Sequence, residues 1–117
     1  KKTGGWFMVV DKGDNPLNFV DPSGTAMFVY SIQRGVELGL LKAKEYTPVA
    51  YRGYQSLFPF IQVNDRGLLD VIGACDGVVI KKNFVEYVTV PKILNAKEAV
   101  AGILWAAVIM ETEQLKK

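Results

Sequence analysis

The feature that most constrains this chain is an uninterrupted apolar run of twelve residues, AVAGILWAAVIM, at Ala99–Met110. A helix needs about 20 such residues to cross a bilayer, so the run is typical of a helix buried on nearly all sides in a protein core. Asn95 and Glu98, three residues apart, predict a capping box at its start. The polar segment 111–117 predicts its end, where lysines suit the negative end of the helix dipole.

A second apolar helix is predicted from Ser23 or Gly24 to Leu40. Asp21 and Ser23 are both suitable N-caps, and the intervening Pro22 fixes the direction in which the chain enters the helix. The polar residues of this segment fall on one narrow arc when plotted at about 100° per residue, so neighbours should cover most of its surface.

The third predicted helix is apolar on one side only. It begins at Thr47-Pro48, with proline at the first helical position, and it kinks or ends at Pro59. Its apolar residues recur at helical spacing, at Ala50, Tyr54, Leu57, Phe58 and Ile61. The short connector 41–46 predicts that the second and third helices form an antiparallel pair.

A helix buried all round, a one-sided helix and another buried helix are typical of the two concentric layers of an α/α barrel. The expected fold class is therefore all-α, with three main helices in inner and outer layers and short β-like segments, such as 6–10, in the loops. Segment 73–91 is predicted to be a long irregular connection. Because three helices cannot close a barrel, and because the chain starts Lys1-Lys2-Thr3 without Met, residues 1–117 are expected to be a fragment of one domain.

Charge and composition exclude several functions. With 14 basic and 12 acidic residues, the chain is too neutral to predict a nucleic-acid or membrane-surface partner. It has no histidine, so histidine acid–base chemistry and histidine metal ligands are impossible within it. A single cysteine, Cys75, excludes an internal disulfide and predicts no metal cluster; a buried inert thiol is expected. No secretory signal is visible, which leaves the cytoplasm and the periplasm both open as locations.

No single short motif in the sequence indicates a specific catalytic or binding function. Asp21 at a helix start is more typical of a cap than of a catalyst, and Ser23 has no histidine with which to form a triad. Trp6 and Tyr87 lie in loop segments, where an aromatic side chain can either stack on a sugar or pack against the helices.

Longer stretches resemble a known family. GWFMVVD at 5–11, followed by FVDPSGTAMFVY at 19–30, resembles the C-terminal part of the unsaturated rhamnogalacturonyl hydrolases of glycoside hydrolase family 105. These are related to the unsaturated glucuronyl hydrolases of family 88. The similarity continues in collinear order through segments 35–40, 46–50, 73–75, 85–88 and 95–110.

This resemblance implies an (α/α)6 barrel, of which residues 1–117 would be the C-terminal portion. It implies removal of a Δ4,5-unsaturated uronic acid from the non-reducing end of an oligosaccharide released by a polysaccharide lyase, with no metal or organic cofactor. The family's catalytic Asp lies in a Trp-rich motif in the N-terminal half, and nothing here matches it. The resemblance therefore implies no catalytic residue in this chain, which alone should be inactive.

In the intact barrel, the loops before the inner helices are expected to meet at one mouth and to bring Trp6, Asp21, Ser23 and Tyr87 together as substrate-binding residues. Ser23, at a helix N-terminus, would add amide donors for a uronate carboxylate. The alternative is a purely structural role, in which Trp6 anchors the N-terminal segment to the helices and Asp21 and Ser23 only cap the helix.

The chain also departs from the family pattern, with Met8 in place of Gln or His and with Ala99 and Ala101 in place of glycines. A non-catalytic helical interaction module, a degenerate barrel, is the alternative function. Under either function, helices apolar on nearly every face predict that the chain on its own associates into a dimer or a larger assembly.

Overall fold

The computed structural model describes residues 3–116, which are mostly helical. The helices are α1 (Pro22–Glu37), α2 (Ala43–Gln55), α3 (Phe84–Val88) and α4 (Lys97–Leu115), with a 3-10 turn at Phe58–Phe60. Strand β1 (Ile61–Val63) pairs antiparallel with β2 (Leu69–Val71), and β3 (Ala74–Cys75) pairs antiparallel with β4 (Lys92–Ile93). The expected all-α class thus holds in part: helices account for most of the regular structure, while the loops form two small sheets.

Helix α1 begins as predicted, because Asp21 caps it. Its carboxylate accepts hydrogen bonds from the backbone amides of Ser23 and Gly24, each at 3.1 Å. The helix ends at Glu37, three residues before the predicted Leu40. The end is set by Gly39, whose φ of 72° lies in the left-handed region that glycine adopts without steric cost.

Helix α2 starts at Ala43, five residues before Pro48, the predicted first helical residue. Pro48 therefore lies inside the helix, where its missing amide leaves the carbonyl of Lys44 in the first turn without its usual partner. The α-helix ends at Gln55, and the chain continues through the 3-10 turn that contains Pro59. Proline at position 59 coincides with the end of the helical segment, as predicted.

The predicted capping box at the start of α4 is wrong. Ala96 occupies the N-cap position, and no side chain caps this helix. Asn95, at φ 53°, instead accepts a hydrogen bond from the Val71 amide at 2.7 Å and donates one to Asp70 at 2.9 Å. The side chain that should have capped α4 therefore ties the start of the helix to strand β2.

Helix α4 packs along α1 through one face, which carries small and apolar buried residues at Ala99, Gly102, Ile103, Ala106, Ile109 and Met110. A Cβ atom at Gly102 would lie 3.2 Å from the Cβ of Ala26, so glycine permits this close approach. The opposite face is exposed, with Leu104, Trp105 and Val108 at 61%, 59% and 69%. The prediction that α4 is buried on nearly all sides is therefore wrong for the described chain.

The N-terminal segment and the long connection are more ordered than predicted. Phe7 and Val20 form an isolated antiparallel bridge, so segment 6–10 is β-like over one residue pair. Segment 73–91 contains β3 and the short helix α3, which Asn83 caps by accepting from the Glu86 amide. Within residues 3–116, none of the helices combines the length and the apolar character required to cross a membrane.

Candidate functional site

A cleft of about 220 Å³ lies where the N-terminal end of α1 meets the start of α4 and the loop that follows β3. It is smaller than the roughly 300–1,000 Å³ pockets that enclose drug-sized ligands, so it suits one small ligand group. The wall is mostly apolar, with few polar side chains. Its lining residues are Met8, Asp21, Ser23, Met27, Cys75, Gly77, Val78 and Glu98.

Asp21 and Ser23, two of the predicted site residues, are brought together in this cleft. The Ser23 hydroxyl donates to Asp21 Oδ1 at 2.8 Å, in addition to the two amide bonds that cap α1. The amides of Ser23 and Gly24 are thus already engaged by a carboxylate. The first turn of α1 does not offer these donors to an external anion, although the Ser23 oxygen can still accept a hydrogen bond.

Glu98 supplies a second carboxylate to the same cleft. Its Oε2 atom is buried and has no hydrogen-bond partner among the described residues. A buried carboxylate oxygen without a donor is costly, so this atom favours a ligand or a water molecule that can donate a hydrogen bond. Asp21 and Glu98 thus place two carboxyl groups in the cleft wall, which offer hydrogen-bond acceptors to a ligand.

Cys75 is buried beside the cleft, as predicted for an inert thiol. Burial raises the pKa of its thiol, the nearby Asp21 carboxylate raises it further, and the Lys92 ammonium partly opposes both effects. The thiolate needed for nucleophilic attack is therefore disfavoured at neutral pH.

Trp6 and Tyr87 do not line this cleft. The Trp6 ring packs against Phe28, with ring centroids 5.3 Å apart, and lies over Gly53 between α1 and α2. Its backbone carbonyl accepts the Asp21 amide at 2.9 Å. The Tyr87 hydroxyl accepts the Lys81 amide at 3.1 Å and so holds the loop in which α3 lies.

In the described part of the chain, no three cysteine, aspartate or glutamate side chains lie close enough together to hold a metal ion. The cleft is instead a small, largely apolar site with a few polar groups. Its acceptor groups are two carboxylates and one hydroxyl oxygen, within a largely apolar wall.

Comparison with known proteins assigns the chain to a family. The family model described as Glycosyl Hydrolase Family 88 matches residues 1–114. This chain belongs to glycosyl hydrolase family 88. The resemblance drawn from motifs such as GWFMVVD is thereby confirmed.

A solved structure similar to this family 88 chain is described as "Structural Analysis of C. acetobutylicum ATCC 824 Glycoside Hydrolase From Family 105". The two structures superpose with a TM-score of 0.85 at 26% sequence identity. The match covers 96% of this chain and 33% of the other, so this chain spans about a third of the length of that protein.

Glu98 is the cleft residue of this family 88 chain that sequence reasoning missed as a site residue. The sequence pattern places it in a capping box, because Asn95 lies three residues before it. A signal for the cleft was nevertheless present in the sequence. Glu98 is a charged residue directly before the apolar run 99–110, so the packing that buries the run also encloses part of its carboxylate.

Proposed function

We propose that this family 88 chain is the C-terminal portion of a glycoside hydrolase that removes a Δ4,5-unsaturated uronic acid from oligosaccharides released by polysaccharide lyases. The family match over residues 1–114 carries the proposal. The TM-score of 0.85 to a family 105 glycoside hydrolase supports it. In this proposal α1, α2 and α4 are helices of an (α/α)6 barrel, whose other helices belong to the two thirds of such a protein that this chain does not match.

The proposed reaction is the hydration of a vinyl ether, without a metal or an organic cofactor. A catalytic aspartate outside this chain donates a proton to C4 of the double bond, and water adds to C5 and loses its own proton. The C5 hemiketal opens to a ketone as a proton reaches the ring oxygen, which leaves a hemiacetal at C1. This hemiacetal collapses to an aldehyde, and the aglycone leaves as an alcohol after its oxygen takes up a proton. This differs from the displacement by paired carboxylates in ordinary glycosidases.

Within this scheme, the cleft residues bind sugar hydroxyl groups. The carboxylates of Asp21 and Glu98 are acceptors, and hydroxyl groups are the donors that a sugar offers. Because Asp21 already holds the α1 amides, the cleft suits a hydroxyl-bearing edge of the sugar rather than the uronate carboxylate. The sequence predicted that the start of α1 binds the uronate carboxylate. In this proposal it binds sugar hydroxyl groups instead.

Trp6 and Tyr87 enter the proposal as positioning residues. The Trp6 backbone carbonyl accepts a hydrogen bond from the Asp21 amide, and the Trp6 ring packs between α1 and α2. Tyr87 holds Lys81, a few residues after Gly77 and Val78 in the cleft wall. Both residues would shape the sugar site without stacking on the sugar ring.

A chimaera tests the proposed function. Residues 3–116 would replace the corresponding third of the C. acetobutylicum protein, and both proteins would be incubated with an unsaturated uronyl disaccharide. We expect the chimaera to consume the double bond, measured as loss of its ultraviolet absorbance. If the chimaera folds, as judged by its melting, but leaves intact a double bond that the parent consumes, the proposal is wrong.

Variants of the chimaera test the cleft. Glu98→Gln keeps the size and shape of the side chain but replaces the carboxylate by an amide, which is a weaker hydrogen-bond acceptor. Loss of a hydrogen bond to a charged group costs about 1.5–3 kcal/mol. We therefore expect kcat/KM to fall by roughly 10- to 100-fold with little change in melting temperature. Asp11→Asn, at an exposed turn carboxylate, is the matched control and should leave kcat/KM unchanged. Equal effects of both variants would exclude Glu98 from sugar binding.

A non-catalytic interaction module is the second candidate function. The observation in its favour is the exposed apolar face of α4, at Leu104, Trp105 and Val108. A surface of this kind is typical of a protein interaction site. An inactive but folded chimaera would favour this second function.

A further inference from the structure

Gly77 lies in the wall of the cleft, close to the carboxylate of Glu98. A Cβ atom added at Gly77 would lie 3.9 Å from Glu98 Oε1. In the part of the chain that the structure describes, no other atom beyond the chain neighbours of Gly77 comes within 4 Å of that position. The space between Gly77 and this carboxylate oxygen is therefore open.

The backbone alone does not require the absence of a side chain at this position. Gly77 has a φ of 61°, in the left-handed region, which glycine adopts without steric cost and which asparagine also tolerates. Asn95 adopts a φ of 53° in this same chain. Packing against Glu98 does not require glycine either, because 3.9 Å is an ordinary van der Waals distance.

A ligand beside Glu98 would need the space that Gly77 leaves open. A hydroxyl group that donates to a carboxylate lies about 2.5–3.0 Å from the accepting oxygen. This is shorter than the 3.9 Å between Glu98 Oε1 and the Cβ position, so a hydroxyl group on that side of the carboxylate would crowd a side chain at position 77. Glu98 Oε2 is buried without a partner among the described residues, so Oε1 is the oxygen that faces the open space.

We propose that Gly77 is a specificity-determining residue, which admits a free sugar hydroxyl group to Glu98 by leaving this space open. A sugar whose hydroxyl groups are methylated or acetylated is rejected, because it has no proton to donate and leaves the carboxylate unpaired. Its added carbon atoms must also fit a cleft of about 220 Å³. The inference rests on the proposed function, to which it adds the substrate class: oligosaccharides that are unsubstituted at the hydroxyl group that reaches Glu98.

The test is sugar binding by the full 117-residue chain, labelled with nitrogen-15 and titrated in nuclear magnetic resonance experiments. One ligand is an unsaturated uronyl disaccharide, and the other is the same disaccharide with every hydroxyl group methylated and the carboxylate free. We expect the amide signals of Gly77 and Glu98 to shift saturably with the first ligand. The affinity for the second should be lower by about tenfold or more.

Gly77→Asn fills the open space while keeping a residue that tolerates the left-handed backbone. It should weaken binding of the free disaccharide by about tenfold or more and remove the preference over the methylated form, because the asparagine amide can donate to Glu98 in place of the sugar. Glu98→Gln should add little to this loss, since both changes remove the same contact.

Gly67→Asn is the matched control. Gly67 has a φ of 74° in the turn between β1 and β2, and a Cβ atom there would have no described atom within 4 Å. This variant carries the same change in the same backbone region and should alter neither the affinity nor the preference. Thermal melting followed by circular dichroism should show similar stabilities for the two asparagine variants.

The inference is overturned by the absence of saturable shifts at Gly77, by equal affinities for the two disaccharides, or by equal effects of the two asparagine variants. The chimaera separates these results from a failure of the proposed function. A chimaera that consumes the double bond of both disaccharides equally well would refute only the role of Gly77. An inactive, folded chimaera, together with a full chain that binds as expected, would refute only the hydrolase activity.

Discussion

At the scale of single residues, the contact between Tyr54 and Glu111 links two helices that are far apart in sequence. The buried Tyr54 hydroxyl donates to Glu111 Oε1 at 2.7 Å, which joins α2 to α4. Burial, which is the largest cause, raises the pKa of Tyr54 together with the hydrogen bond and the charge of Glu111, to about 12 in all. Folding therefore favours the protonated phenol.

This contact predicts a specific pH dependence of stability. The folded-state pKa of Tyr54 is above its ordinary value of 10, so the stability that the protonated phenol contributes is complete below pH 10 and is lost as the pH rises towards 12. Tyr54→Phe should cost about 1.5–3 kcal/mol at neutral pH, the value of one hydrogen bond to a charged group. Urea unfolding from neutral to strongly alkaline pH should show this difference shrinking.

Tyr51→Phe is the control, because Tyr51 lies on α2 at 39% exposure and has no side-chain hydrogen bond within the described part of the chain. It should change stability little at any pH. A difference between Tyr54→Phe and the parent that stays constant above pH 10 would contradict the assignment.

Residue-level chemistry was predictable from the sequence where the partners are local. Asp21 caps α1 as predicted, because its partners are two and three residues away. Asn95 follows the same local rule but bonds to Val71, 24 residues away in sequence. A capping motif is defined by residues close in sequence. The hydrogen bond of Asn95 to strand β2 therefore could not be inferred from it.

At the scale of elements, α1 and α2 approach each other across Gly53. An added Cβ there would lie 2.7 Å from Val29 Cγ2 and 2.8 Å from Trp6 Cζ3, so glycine makes room for the Trp6 ring. The helical spacing of Ala50, Tyr54 and Leu57 predicted the buried face of this segment, and all three are buried. The same prediction is wrong for Phe58, which is 53% exposed, and for Ile61, which lies in strand β1 rather than in the helix. The docking of Trp6 on it was not predictable, because this contact joins residues 47 positions apart.

Gly53→Ala tests this packing. Overpacking should destabilise the fold by about 1–3 kcal/mol, despite the better helix propensity of alanine. Gly35→Ala is the matched control, because its Cβ would meet the flexible end of the Leu41 side chain, which can move. Urea unfolding should therefore show little loss, or a gain of up to about 1 kcal/mol, for Gly35→Ala. Adding Trp6→Leu to Gly53→Ala should restore part of the lost free energy of unfolding. Equal losses of stability in the two glycine variants would contradict the proposed packing of Trp6 on Gly53.

Helix α4 shows a further limit of prediction at this scale. An apolar sequence on all faces predicted burial on all faces, yet Leu104, Trp105 and Val108 are exposed. Composition determines which faces can be buried at low cost, whereas the number of neighbouring elements determines which faces are buried. In residues 3–116, α1 and α2 pack against α4, and no described element covers the side chains of Leu104, Trp105 and Val108.

At the scale of the whole molecule, the family and the helical content were predictable, because collinear motifs from GWFMVVD to the run 99–110 extend over most of the chain. The closed barrel remains a proposal, because this chain spans a third of the family 105 structure that it matches. Two of the polar residues of the cleft were predicted from the sequence, and the third was not. Asp21 and Ser23 are close neighbours in sequence, whereas Glu98 reaches them only through the packing of α4 on α1.

The whole-molecule prediction is that the 117-residue chain alone does not consume an unsaturated uronyl disaccharide. The cleft is open on the surface, and in the proposed reaction the catalytic acid is an aspartate outside this chain. Asp21 does not replace it, because its two carboxylate oxygens are engaged by Ser23 and Gly24. Incubating the purified chain with the disaccharide should leave the ultraviolet absorbance of the double bond unchanged, while the C. acetobutylicum protein is assayed alongside. Turnover that disappears in Glu98→Gln would overturn this prediction and identify Glu98 as the acid, since its carboxylate is the other one in the cleft wall.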